Sequence, residues 1–131
     1  MPAQLRAGTA KSDITTNAPG AVINDPLYAK ALVLDDGTTT LVLLAMDVTA
    51  IGGIGEVSDD FLPQLRARLE DELAIPGGNV LVNASHTHPP GSILCSHEEQ
   101  LARTFDAVRR AKENLTPAKV GVGVGREDRF I

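Results

Sequence analysis

The pattern of apolar positions in the first third of the chain predicts strands. A short first strand is expected around Leu5–Ala10, followed by strands over Leu27–Leu34 and Thr40–Val48. The Asp-Asp-Gly sequence at 35–37 predicts a hairpin between the last two, because Asp-Gly readily supplies the positive φ angles of a tight turn. The run within Thr40–Val48 does not alternate, which is typical of a strand buried on both faces.

Apolar residues at three- and four-residue spacing predict two helices. The first runs from about Asp60 to Ala74, with Asp59 or Asp60 as N-cap. The second begins at Ser96, which forms a capping-box pattern with Glu99, and closes at the Thr-Pro pair 116–117. The apolar face of the first helix consists of Phe61, Leu62, Leu65, Leu69 and Leu73.

Two further strands complete the expected architecture. Asn79–Ala84 is an apolar run between the helices, and Lys119–Gly125 alternates valine with glycine, so its glycine face would permit close approach of another element. The order is a β-hairpin followed by α-β-α-β. The sequence therefore predicts an α/β fold, a mixed sheet with helices packed on it, as a single domain over residues 1–131.

Composition narrows the possible partners. The 131 residues carry a net charge of −5 with pI near 5.1, which disfavours nucleic acid and anionic membranes as partners. No apolar run approaches the roughly 20 residues that a transmembrane helix needs. No signal peptide is visible, which favours the cytoplasm by default. The single Cys95 excludes an internal disulfide.

Candidate chemistry is concentrated where the strand over Asn79–Ala84 ends. His86 and His88 follow it, and Pro-Pro-Gly at 89–91 then interrupts regular structure. On an extended backbone their side chains would point the same way, with Thr87 opposite. Neutral imidazole is a common zinc ligand and a proton shuttle at neutral pH. A pair of solvated loop histidines is the alternative interpretation.

Three further residues have two interpretations each. Asp47 ends a buried strand, where it is either a polar cap or an active-site carboxylate, since ligands gather at the carboxyl ends of strands in α/β sheets. His97 is the first residue of a capped helix and is expected to be solvated rather than a ligand. Cys95 is expected to be a small buried or loop thiol, with zinc ligation the weaker alternative.

Residues 7–15, 25–34 and 82–88 resemble the neutral/alkaline (non-lysosomal) ceramidases and their bacterial relatives. The strongest match is to the zinc-site strand of that family, here Val82-Asn83-Ala84-Ser85-His86-Thr87-His88. The resemblance covers most of this chain but only the N-terminal part of the family's catalytic domain. It implies a larger parent domain, and members of the family are often secreted. Where the family usually has Ser-Gly-Pro after His-Thr-His, this chain has Pro-Pro-Gly, which bears on the substrate pocket more than on zinc binding.

The resemblance implies a Zn²⁺-dependent hydrolase of a lipid-like N-acyl amide such as ceramide, which is split into a sphingoid base and a fatty acid. His86 would bind the zinc ion. His88 would orient water or protonate the leaving amine, and Asp47 would hydrogen-bond a ligating imidazole. The family's remaining ligands, a histidine, a glutamate and a tyrosine, lie downstream and cannot be placed on this chain.

Two other functions remain open. One is a non-catalytic remnant that binds a partner or a lipid-like ligand. The other is a small complete metallohydrolase that uses His86, His88 and His97. If the chain is part of a larger domain, self-association is also expected, through an uncovered sheet edge or apolar face.

Overall fold

The computed structural model describes residues 3–88 and 93–129, which form a mixed five-stranded sheet with two α-helices packed on it. A 3₁₀ turn, Gly77–Asn79, precedes the fourth strand. The elements are β1 (Arg6–Asp13), β2 (Tyr28–Asp35), β3 (Thr40–Met46), α1 (Phe61–Leu73), β4 (Val80–Ala84), α2 (His97–Glu113) and β5 (Thr116–Pro117).

The strands lie in the order β4-β3-β2-β1-β5. β1, β2 and β3 are antiparallel neighbours, β5 is antiparallel to β1, and β4 is parallel to β3. Gly37 adopts φ +89° in the turn between β2 and β3, as the Asp-Gly sequence predicts. The α/β class, the hairpin and the order α-β-α-β are thus confirmed.

One face of the sheet packs against both helices and forms the core. Its side chains alternate along β2 and β3, so the period of two places every second residue against the helices. Each of the larger apolar side chains buried here stabilises the fold by about 1.5–3 kcal/mol. The core includes Ala29, Ala31, Val33, Val42, Leu44, Met46, Val80, Phe61, Leu65, Leu69, Phe105, Val108 and Ala111.

The expectation that β3 is buried on both faces is wrong. Leu41 and Leu43 point away from the helices and are 42% and 37% exposed. The run lacks alternation because the outer face of the sheet is itself apolar. Leu32, Leu43 and Leu81 occupy paired positions on β2, β3 and β4 and form one row across that face, in which Leu81 is 60% exposed. We call these three residues the outer leucine row.

The strand predicted over Lys119–Gly125 is also absent from the sheet. β5 is only Thr116–Pro117, and the ladder ends where the Ala118 N–H donates to the Leu5 carbonyl at 2.9 Å. β5 is antiparallel to β1, and Arg6, the first residue of β1, pairs with Pro117. In this register residues 119–125 extend beyond the beginning of β1 and have no β1 residue to pair with. The three valines of the segment are exposed, and Val124 is 99% accessible.

Close approach of a helix to the sheet depends instead on Gly8 in β1. It is buried, and a Cβ at this position would overlap the carbonyl oxygen of Ala111 in α2. We expect Gly8→Ala to lower the free energy of unfolding by about 1–3 kcal/mol or more, because helix and strand must separate. Urea denaturation measures this. Gly121→Ala, where an added Cβ meets nothing within 4 Å, is the control and should be near neutral. Equal midpoints for the two variants would contradict this packing.

The exposed side chains of the outer leucine row support the prediction that the chain self-associates. Apolar side chains that share one exposed face favour burial against a second copy of the chain. We expect sedimentation velocity to show concentration-dependent association, and Leu81→Lys to weaken it. Ile54→Lys, at a loop residue that is 61% exposed, is the matched control and should leave association unchanged. A monomer at every concentration tested would refute the prediction.

Candidate functional site

The parallel pairing of β3 and β4 brings their carboxyl ends to one edge of the sheet. Met46 pairs with Ala84, and the Ser85 N–H donates to the Met46 carbonyl at 2.9 Å. The start of β2 joins the same edge, where the Asp47 N–H donates to the Tyr28 carbonyl at 2.9 Å. The chain after β3 therefore lies beside the two histidines that follow β4.

The backbone at His86 differs from the predicted extended conformation. β4 ends at Ala84, and His86 adopts φ +64°, in the left-handed region. For a residue with a side chain this conformation costs about 1–2 kcal/mol, so surrounding contacts must hold it. His86 and His88 therefore do not continue β4 in an extended conformation, and the strand geometry expected to align their side chains is absent.

The two imidazoles nevertheless lie together. Their ring centroids are 4.4 Å apart and their planes meet at 85°, an edge-to-face contact. His86 Nδ1 lies 2.7 Å from the Thr49 carbonyl oxygen. A carbonyl can only accept, so Nδ1 carries a proton, and in the neutral imidazole Nε2 then keeps its lone pair. Both histidines are exposed, and among residues 3–88 and 93–129 the hydrogen bond of the His86 ring is made by Nδ1 and not by Nε2.

Thr49 also contacts the next peptide unit. Its hydroxyl donates to the Thr87 carbonyl at 3.0 Å, and the hydroxyls of Thr87 and Ser85 lie 2.6 Å apart. The sequence analysis missed Thr49, although it lies only two residues after Asp47. Its importance depends on the parallel register of β3 and β4, which no local pattern in the chain reveals.

Among the described residues, the Asp47 carboxylate contacts Tyr28 and Lys30 rather than an imidazole. Within the described residues its carboxylate accepts from the Tyr28 N–H at 3.1 Å and pairs with Lys30 Nζ at 2.9 Å. The Asp47 side chain thus contacts the start of β2. The group that lies beside the His86 imidazole is the Thr49 carbonyl. Its assigned part in catalysis stays a prediction.

Asp47 and His88 line one cleft of about 310 Å³. Its other walls include residues of the loop before β2, which the sequence analysis did not connect with the histidines. The remaining lining residues are both apolar and polar: Val22, Asn24, Asp25, Pro26, Leu27, Thr87 and Ile93. A larger depression of about 470 Å³ lies over the outer face of the sheet and includes neither histidine. The Pro-Pro-Gly sequence at 89–91 lies outside the described residues.

The His97 ring contacts Ser58 and Gln64 and does not join His86 and His88. Its ring bridges Ser58 Oγ at 3.1 Å and Gln64 Oε1 at 3.3 Å, so it is half-buried rather than solvated. Residues 3–88 and 93–129 contain no group of three His, Cys, Asp or Glu side chains that could hold a metal ion. The structure therefore does not support a three-histidine site of His86, His88 and His97.

Cys95 is buried, as expected for a structural thiol. Burial raises the pKa of the Cys95 thiol to about 11, so the thiol is protonated at neutral pH. Ser96 beside it is the N-cap of α2, and the reciprocal hydrogen bonds with Glu99 confirm the predicted capping box.

Comparisons with known proteins point to the ceramidases. No family model matches the chain, and no curated protein matches it. Among solved structures, the neutral ceramidase from Pseudomonas aeruginosa superposes with a TM-score of 0.61 and 24% identity, covering 89% of this chain and 23% of that one. A ceramidase complexed with C2 gives the same TM-score and identity, covering 87% and 22%.

These structures confirm the resemblance to neutral ceramidases and show that the chain has a fold found in them. The chain spans less than a quarter of the length of either ceramidase. Of the helices in the described residues, none is long and apolar enough to cross a membrane.

The observed partners of Asp47 predict a mild phenotype. Asp47→Asn keeps an acceptor for the Tyr28 N–H but loses the charge pair with Lys30. The free energy of unfolding should therefore fall by less than about 1 kcal/mol. Since the carboxylate does not touch an imidazole, zinc affinity should change less than about threefold. Lys30→Met, which removes the other half of the pair, is the matched variant. A loss of about tenfold in zinc affinity, confined to Asp47→Asn, would indicate an imidazole contact after all.

Proposed function

We propose that this chain supplies part of the active site of a zinc-dependent hydrolase that cleaves an N-acyl amide, with ceramide or a related lipid amide as substrate. The observation that carries the proposal is the held imidazole of His86, whose Nδ1 meets the Thr49 carbonyl and whose ring packs edge-to-face with that of His88. The ceramidase fold of the chain supports it.

His86 fits zinc as a single ligand. Metal-binding histidines typically donate their other ring N–H to a backbone carbonyl or a carboxylate, and the Thr49 carbonyl meets that requirement. A catalytic zinc ion normally has three protein ligands. The described residues bring no third group to His86 and His88, so the proposal places the remaining ligands outside them.

The residues around the cleft suit amide hydrolysis. When bound, zinc supplies a Lewis acid that activates water and polarises the scissile carbonyl. His88, on the cleft wall, can carry a proton to the leaving amine nitrogen at neutral pH. Val22, Leu27 and Ile93 offer apolar contacts for a hydrocarbon chain, while Asn24 offers hydrogen bonds to a polar head.

The test combines zinc titration by calorimetry with a fluorogenic N-acyl amide assay. We expect the 131-residue chain to bind zinc weakly and not to turn over, because two imidazoles leave the other coordination positions to water. His86→Ala should abolish the zinc binding, while His97→Ala, which removes an imidazole bound to Ser58 and Gln64, should not. In a protein that carries this chain with the remaining ligands, His86→Ala should abolish hydrolysis.

Two results would contradict the proposal. Zinc affinity unchanged by His86→Ala would remove His86 from the metal site and favour a non-catalytic binding function. Tight one-to-one zinc binding with turnover by this chain, both lost in His97→Ala, would favour the small complete hydrolase instead.

A further inference from the structure

We infer that Thr49 is a positioning residue that holds the imidazole of His86 so that Nε2 is presented outward. The backbone carbonyl of Thr49 fixes the ring, and its hydroxyl fixes the peptide that follows. The inference rests on the proposed function only for what the presented nitrogen binds.

The strained backbone of His86 is the first reason. A left-handed conformation at a residue with a side chain persists only where neighbouring contacts over-determine it. Here the residue before His86 is tied to β3 by the Ser85 N–H bond to the Met46 carbonyl, and the residue after it is tied to Thr49. With both neighbours held, the ring is directed at the Thr49 carbonyl.

The chemistry of the two contacts is the second reason. The carbonyls of Thr49 and Thr87 can only accept hydrogen bonds, so the direction of each bond is determined. The Thr49 carbonyl therefore accepts a hydrogen bond from His86 Nδ1–H, and the Thr49 hydroxyl donates one to the Thr87 carbonyl. Loss of the hydroxyl would leave the Thr87 carbonyl without this donor and release the peptide that holds His86 in place.

The loop that carries Thr49 is itself tied down. The Asp59 carboxylate accepts from the Gly53 N–H at 2.7 Å. Asp60 holds the N-cap position of α1 but makes no side-chain cap hydrogen bond. Gly55 packs so closely that an added Cβ would lie 3.2 Å from the Thr49 Cβ. Val57, in the same loop, is buried in the core. Thr49 is thus presented by a fixed loop.

Three variants test the inference. Thr49→Val removes the hydroxyl while keeping the shape, and Thr49→Ser restores it. The control is Thr40→Val, which removes a hydroxyl that donates to Asp35 at 2.7 Å, at the opposite end of β3. Long-range ¹H–¹⁵N correlation spectra report which ring nitrogen of His86 carries the proton. Zinc alone, added to the same samples, reports affinity at Nε2.

The expected results differ between the variants. In Thr49→Val, His86 should lose its preference for a proton on Nδ1, and zinc affinity should fall about tenfold, as when a partner of a ligating histidine is removed. Thr49→Ser should resemble the wild type in both measurements. Thr40→Val should lose stability without a change in the His86 signals.

Unchanged His86 ring signals in Thr49→Val would overturn the inference, as would a Thr49→Ser variant that behaves like Thr49→Val. Failure of the proposed function is a distinct result. If the ring signals respond to the variants as expected but zinc shifts no His86 signal in the wild type, His86 is positioned as inferred and is not a zinc ligand.

Discussion

The parallel pairing of β3 with β4 is the constraint on which the site depends. It places Met46 opposite Ala84, so the two chains leave the sheet at the same edge and side by side. Helix α1 makes this pairing possible as the crossover between parallel strands, and its buried face joins the core below them. Without that register, the Thr49 carbonyl and the His86 imidazole would have no reason to meet.

Local signals in the sequence predicted local structure well. The Asp-Gly turn with Gly37 and the capping box of Ser96 depend on neighbours within a few residues, and both are confirmed. The predicted apolar face of α1 is confirmed at Phe61, Leu65 and Leu69, which are buried. The strand over residues 119–125 was predicted wrongly because alternation shows what a segment could do, not whether a neighbour lies alongside. β1 begins too late in the chain to pair with it.

The sequence identifies the two histidines of the candidate site but not the backbone conformation and contacts that arrange them. The proximity of His86 and His88 is predicted on the assumption of an extended backbone, whereas His86 adopts a left-handed conformation and the rings still lie together. Asp47 was given the contact that Thr49 makes, since a carboxylate at a strand end is conspicuous and a backbone carbonyl is invisible in a sequence. The outer leucine row likewise concealed the alternation of β3, because both faces of that strand are apolar.

We propose that the fold presents Nε2 of His86 to zinc while the Thr49 carbonyl holds Nδ1. The most direct measurement is anomalous diffraction at the zinc edge from crystals of the chain soaked in zinc. We expect a peak about 2.0–2.1 Å from His86 Nε2, with the Nδ1 hydrogen bond to the Thr49 carbonyl retained. A peak at Nδ1, or zinc at His97 with none at His86, would contradict it.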